Sequence, residues 1–151
     1  MTRSNALVLG CMTALAAILP AAACAQQDAP RTIVPGSLNL TKSPVGPGVF
    51  EGNVVGDEAK GRALYVVYVR YTAGSRTVPH THPDERTVTV VAGTFYAGAG
   101  EKFDDAGLTP LKPGSIIVIP AGAPHYGWAK EGEVILQEAG LGPSGTALVP
   151  K

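Results

Sequence analysis

The clearest pattern in the chain runs from Leu64 to Tyr71, where Tyr65, Val67, Val69 and Tyr71 alternate with Leu64, Val66, Tyr68 and Arg70. Alternation at period two in a β-branched and aromatic run predicts a strand. The intervening positions are also largely apolar, which predicts burial on both faces for much of its length. Thr87–Ala92 predicts a second strand, stopped by Gly93, and Thr94–Ala97 follows closely enough to predict a hairpin. Ser115–Ile119 stands between Pro113-Gly114 and Pro120, and Glu133–Gln137 precedes Gly140. Residues 101–109 read as a loop or a single helical turn. Short strands with turn residues between them, and no internal repeat, predict an antiparallel sandwich or barrel.

The N-terminal residues follow another pattern. Arg3 provides a positive start, and Ala6–Leu19 is apolar except for Thr13. Ala23-Cys24-Ala25 then places small residues at the −3 and −1 positions of a cleavage site. Residues 1–25 are therefore expected to be a signal peptide of an exported, periplasmic protein, removed before folding. The apolar run is short for a membrane span. The alternative is a lipobox, Ala21-Ala22-Ala23-Cys24, with a lipid anchor on Cys24 and a lipoprotein as the product. Both cysteines, Cys11 and Cys24, lie in this segment, so cleavage after Ala25 leaves no disulfide and no thiolate chemistry. Residues 26–48 contain Pro30, Pro35, Pro44 and Pro47 and read as an extended arm, set against a barrel edge or a second subunit. Residues 49–151 then form the β-barrel domain.

Charge narrows the partners. Twelve basic and twelve acidic side chains, with no run of either sign, argue against nucleic acid or an anionic membrane surface. A small-molecule ligand or substrate is the expected partner. The abundance of glycine (19) and proline (13) agrees with many tight turns.

The chemistry rests on histidine. The chain has three, two of them in His80-Thr81-His82. Alternate residues on a strand face one side, so both imidazoles can reach one ion. His125 follows Pro120-Ala-Gly-Ala-Pro, and three ligands from two separated segments would fix most of a coordination shell.

These residues closely resemble the cupin superfamily. Its first motif, G-x5-H-x-H-x3-4-E-x6-G, is met by Gly74, His80, His82 and Gly93; its second, G-x5-P-x-G-x2-H-x3-N, by Gly114, Pro120, Gly122 and His125. The resemblance implies an all-β fold, an antiparallel double-stranded β-helix or jelly-roll barrel. It also implies one divalent metal ion on His80, His82 and His125, and a possible homodimer. Gly74, Gly93 and Gly114 are expected at positive φ where strands begin or turn.

Two positions depart from the pattern. The position of the family's glutamate ligand holds Arg86, and Glu85, one residue early, is expected to face away. Ala129 takes the asparagine position of the second motif. A guanidinium cannot ligate a metal. At ~6 Å from a divalent ion, with an effective dielectric of ~20, it would be repelled by roughly 5 kcal/mol. Two arrangements relieve that cost. Either Arg86 binds an anionic group of the substrate near the metal, or it bends outward to pair with Asp84, Glu85 or solvent.

Imidazole ligands suit zinc, copper, iron and nickel, and export, where ferrous iron is hard to keep reduced, favours zinc, copper or manganese. The resemblance to small quercetin-dioxygenase-like bacterial cupins implies a metal-dependent oxygenase-type enzyme acting on a small anionic or enolic substrate. A non-catalytic periplasmic metal or small-ligand binding or sensing module, and a metal-dependent isomerase or lyase, are the alternatives. Tyr96, Tyr126 and Trp128 are expected in the core, and Ser144 and Thr146 have no further histidine to activate them.

Overall fold

The computed structural model describes residues 29–150; the segment read as a signal peptide, with both cysteines, lies outside the described residues. From Thr32 onward the chain forms one compact unit. Its strands are β1 (Thr41–Lys42), β2 (Val49–Val55), β3 (Leu64–Tyr71), β4 (His80–Thr81), β5 (Arg86–Ala92), β6 (Phe95–Ala99), β7 (Thr109–Leu111), β8 (Ile116–Ile119), β9 (His125–Trp128), β10 (Val134–Leu141) and β11 (Ala147–Leu148). A single 3-10 turn, Pro35–Ser37, precedes them. One sheet has the order β1-β2-β3-β10-β5-β8 and the other β11-β4-β9-β6-β7. The pairings are antiparallel, so the fold is an all-β double sheet of jelly-roll type. No helix of the described residues is long and apolar enough to cross a membrane.

The core lies between the sheets. Tyr65, Val67, Val69 and Tyr71 point inward from β3, Val88 and Val90 from β5, and Val134 and Leu136 from β10, with Phe95 and Ile119 completing the cluster. Each such side chain contributes roughly 1.5–3 kcal/mol by leaving water. The other face of β3 is only half covered, and Leu64 is 55% exposed. Burial on both faces is thus corrected: the sheet packs a second layer against its inner side alone, and Val91 and Val118 are likewise left exposed on neighbouring strands.

The hairpin expected at Gly93 is also corrected. β5 pairs with β10 and β8, whereas β6 lies in the opposite sheet between β9 and β7. Gly93 is where the chain crosses. Its φ is +78°, and a Cβ there would lie 2.2 Å from the carbonyl oxygen of Glu133, so only glycine fits. The segment preceding β7 is a loop without a helical turn. β10 runs on past Gln137 to Leu141 as a central strand, paired with β3 along its whole length and with β5 along most of it. That extension places Glu138 on the inner face, two residues beyond Leu136. Thr41–Lys42 adds to the outer edge of β2, and Val45 joins the core.

Candidate metal centre

The second sheet brings the three histidines together. His80 on β4 lies directly opposite His125 on β9, and His82 follows one residue after β4. The turn before β9 is fastened to this segment: the backbone N–H of Gly122, at φ +74°, donates to the carbonyl of His82 at 2.7 Å. Ring centroids are 4.3 Å apart for His80 and His125, and 5.1 Å for His82 with either of the others. One nitrogen from each ring falls within 4.8 Å of the other two.

The opposite edge of each ring sets the tautomer. Nδ1 of His80 meets the carbonyl oxygen of Val78 at 2.8 Å, Nδ1 of His82 that of Gly145 at 2.7 Å, and Nδ1 of His125 that of Ala123 at 3.0 Å. A carbonyl only accepts, so each Nδ1 carries the proton and donates it, leaving Nε2 with a lone pair. Burial holds the rings neutral. His80 is lowered to about 4, by burial first and then by the neighbouring His125; His82 is lowered to about 4 by burial and by the charge of Arg86. His125 is lowered as well, chiefly by burial. Three neutral donors of this type fit a divalent transition-metal ion.

Arg86 points inward. Its side chain is 3% exposed, and Nη1 donates to Oε2 of Glu138 at 2.9 Å while Nη2 donates to Oδ1 of Asp84 at 2.9 Å. Nη2 also donates to the hydroxyl of Ser144, which in turn donates to Asp84. Tyr65 donates its hydroxyl to the other oxygen of Asp84, and its ring lies 5.6 Å from the guanidinium carbon. Nε of Arg86 is fully buried and has no hydrogen-bond partner among the described residues. The anion sought beside Arg86 is therefore present within the chain itself, and Asp84 comes inward with it rather than drawing it out. Burial alone would lower the affinity of Arg86 for its proton, but Glu138 and Asp84 outweigh that and raise it. Asp84 is lowered: burial would raise it, yet the donors Ser144, Tyr65 and Arg86 prevail. Glu85 is exposed, as its register requires.

Asp84 is the partner that the sequence offers Arg86, met inside the barrel rather than outside it, whereas Glu138 is not among the expected site residues. For Glu138 a signal was present: it continues the Val134, Leu136 register of core positions, where an acid is out of place. Glu138 lines a cavity of about 50 Å³ together with His80, His125 and an apolar wall that includes Val88, Phe95, Ile117 and Leu136. It also lines a second cavity, of about 30 Å³, with His80, His82, Arg86, Glu51 and Glu58. Its negative charge acts on both His80 and His125. Thr146 places its hydroxyl 3.5 Å from Nδ1 of His82. Tyr126 is buried, whereas Trp128 and Tyr96 are half-buried. The Tyr126 ring lies over Gly98, where a Cβ would approach it to 2.1 Å. Ala129, at the asparagine position, is fully buried and bonded through its backbone to Gly74 and Ser75.

Residues 67–137 match the family model for the cupin domain. Among curated proteins none matches the sequence. Among solved structures, the polyketide cyclase RemF from Streptomyces resistomycificus superposes with a TM-score of 0.61 at 15% identity, covering 75% of this chain and 80% of that one. A cupin-2 domain protein from Rhodospirillum rubrum gives 0.61 at 16% identity, covering 81% and 80%. A cupin-superfamily sugar phosphate isomerase from Silicibacter pomeroyi gives 0.57 at 17% identity, covering 74% and 76%. At these identities the likeness is one of fold.

Proposed function

We propose, from the match of residues 67–137 to the cupin-domain model, that His80, His82 and His125 hold one divalent cation and present it to a small substrate with an anionic or enolic oxygen. The observation that carries this reading is the set of three Nδ1–H···O=C bonds. They leave Nε2 of each ring with a lone pair, and with one nitrogen of each ring within 4.8 Å of the other two, a cation between the rings is stabilised by all three. When bound, such an ion supplies Lewis-acid polarisation of an oxygen and, for a redox metal, electron transfer. The carbonyls of Val78, Gly145 and Ala123 orient the imidazoles. Val88, Phe95, Ile117 and Leu136 keep water from the side of the site that they line. Arg86 has both terminal nitrogens on internal partners, so the ion, rather than the guanidinium, is the anchor for a substrate anion.

An oxygenase-type reaction is the finer part of the proposal. What supports it is the cavity of about 50 Å³ beside His80 and His125, walled in part by Val88, Phe95, Ile117 and Leu136, which leaves room for a small molecule next to the three imidazoles. The first test is metal content. His125→Ala should reduce the ion to background in elemental analysis, and full occupancy in that variant refutes the three-imidazole site. The second is oxygen uptake by the reconstituted protein with catechol-like and enolic acid substrates. Substrate loss without oxygen demand assigns an isomerase or lyase instead, and tight ion uptake without any turnover assigns a binding module.

A further inference from the structure

We propose that Glu138 is the residue that balances the charge of the bound ion, taking over from β10 the role that the β5 motif position cannot fill because it holds Arg86. The inference rests on the three-imidazole reading above. Arg86 pairs in register with Gly140, and Glu138 with Val88, so the two side chains share the inner face as diagonal neighbours on adjacent strands. Their 2.9 Å contact shows that they meet. The carboxylate and the cation have in effect exchanged places across one strand spacing.

Of the nearby acids, Glu138 is the one free to act on the ion. Asp84 has both oxygens engaged, one by Arg86 and Ser144 and the other by Tyr65. Glu51 and Glu58 line only the smaller cavity, away from His125. Glu138 lines both cavities, in company with all three histidines, and no donor among the described residues reaches its Oε1. It falls outside the 4.8 Å cluster of imidazole nitrogens, so it acts through space as a charge-balancing residue and not as a ligand. A divalent ion on neutral imidazoles, with a guanidinium in the same interior, needs such an anion in a medium that screens poorly.

The experiment is a metal titration of the full chain with zinc by chelator competition and with cobalt by visible absorption. Glu138→Gln should weaken binding at least tenfold, with one ion still taken up and the cobalt bands unmoved. In a second pair, Arg86→Gln should bind at least tenfold more tightly than Arg86→Gln/Glu138→Gln, which carries no unpaired Glu138 or Arg86 charge and guards against loss of the first variant to misfolding. Affinities within twofold in whichever pairs fold overturn the inference, and shifted cobalt bands overturn it in favour of direct ligation. Wild-type protein that binds one ion through His125 while Glu138→Gln matches it sinks this inference alone. Wild-type protein that takes up no ion sinks the three-imidazole reading along with it.

Discussion

Replacing Arg86 with methionine tests whether the charged interior is an organised part of the fold. Methionine fills much of the same volume and removes the guanidinium. Arg86 is 3% exposed at its side chain, Asp84 7% and Glu138 16%, so the substitution leaves two carboxylates in the protein with their main cation gone. Removing one partner of a buried ion pair costs about 3–5 kcal/mol. Ser144 and Tyr65 still donate to Asp84 and hold the loss toward the lower end of that range. A domain of this size has about 6–18 kcal/mol of stability in all. The melting temperature should fall by roughly 10–20 °C. Urea unfolding followed through the single tryptophan, Trp128, with EDTA present so that no ion contributes, measures the loss directly. Glu138→Gln in the Arg86→Met background should recover part of it by removing one stranded charge. A loss below about 1 kcal/mol, with no recovery in the double variant, would show that Arg86 is solvated and that the network described here does not form.

Acid should destabilise the ion-free protein. His80 and His82 stay neutral in the fold down to about 4 against an ordinary value of 6.5, so between those values the unfolded chain takes up protons that the folded chain refuses. Stability then falls as pH drops from about 6.5 toward 4, by at most ~1.4 kcal/mol per pH unit for each imidazole. Asp84, whose carboxyl is lowered in the fold, adds a further loss at still lower pH. Urea midpoints at pH 7.5, 6 and 5 check this, and a flat profile contradicts it. Gly98→Ala sets a methyl 2.1 Å from the buried Tyr126 ring and should cost about 1–3 kcal/mol. In a Tyr126→Leu background the same change should cost much less, and equal costs in both backgrounds would show that the ring is not the obstacle.

Much of this protein can be read from its residues in order. Period-two alternation marks β3 and β5, because strand geometry sends successive side chains to opposite faces whatever the partner. Gly74, Gly93 and Gly114 all take positive φ, as their placement at turns implies, since local sterics decide that matter. The spacing of His80, His82 and His125 was enough to nominate a site. Periodicity says which side of a strand is apolar but not which sheet it joins, and so closeness in sequence points to a hairpin at Thr94 where Gly93 carries the chain to the other layer. The dense apolar run of β3 concealed that its sheet is covered on one face. Above all, the distant partners of Arg86 cannot be read from the sequence, although its neighbour Asp84 can. Glu138 is 52 positions away along the chain and Ser144 is 58, and only the pairing of β5 with β10 and the return of the chain past Gly142 bring them to it. Local sequence determines backbone conformation and facing because those depend on near neighbours. The electrostatics of an enclosed site depend on which distant charges share its interior, and that is settled only when the sheets close.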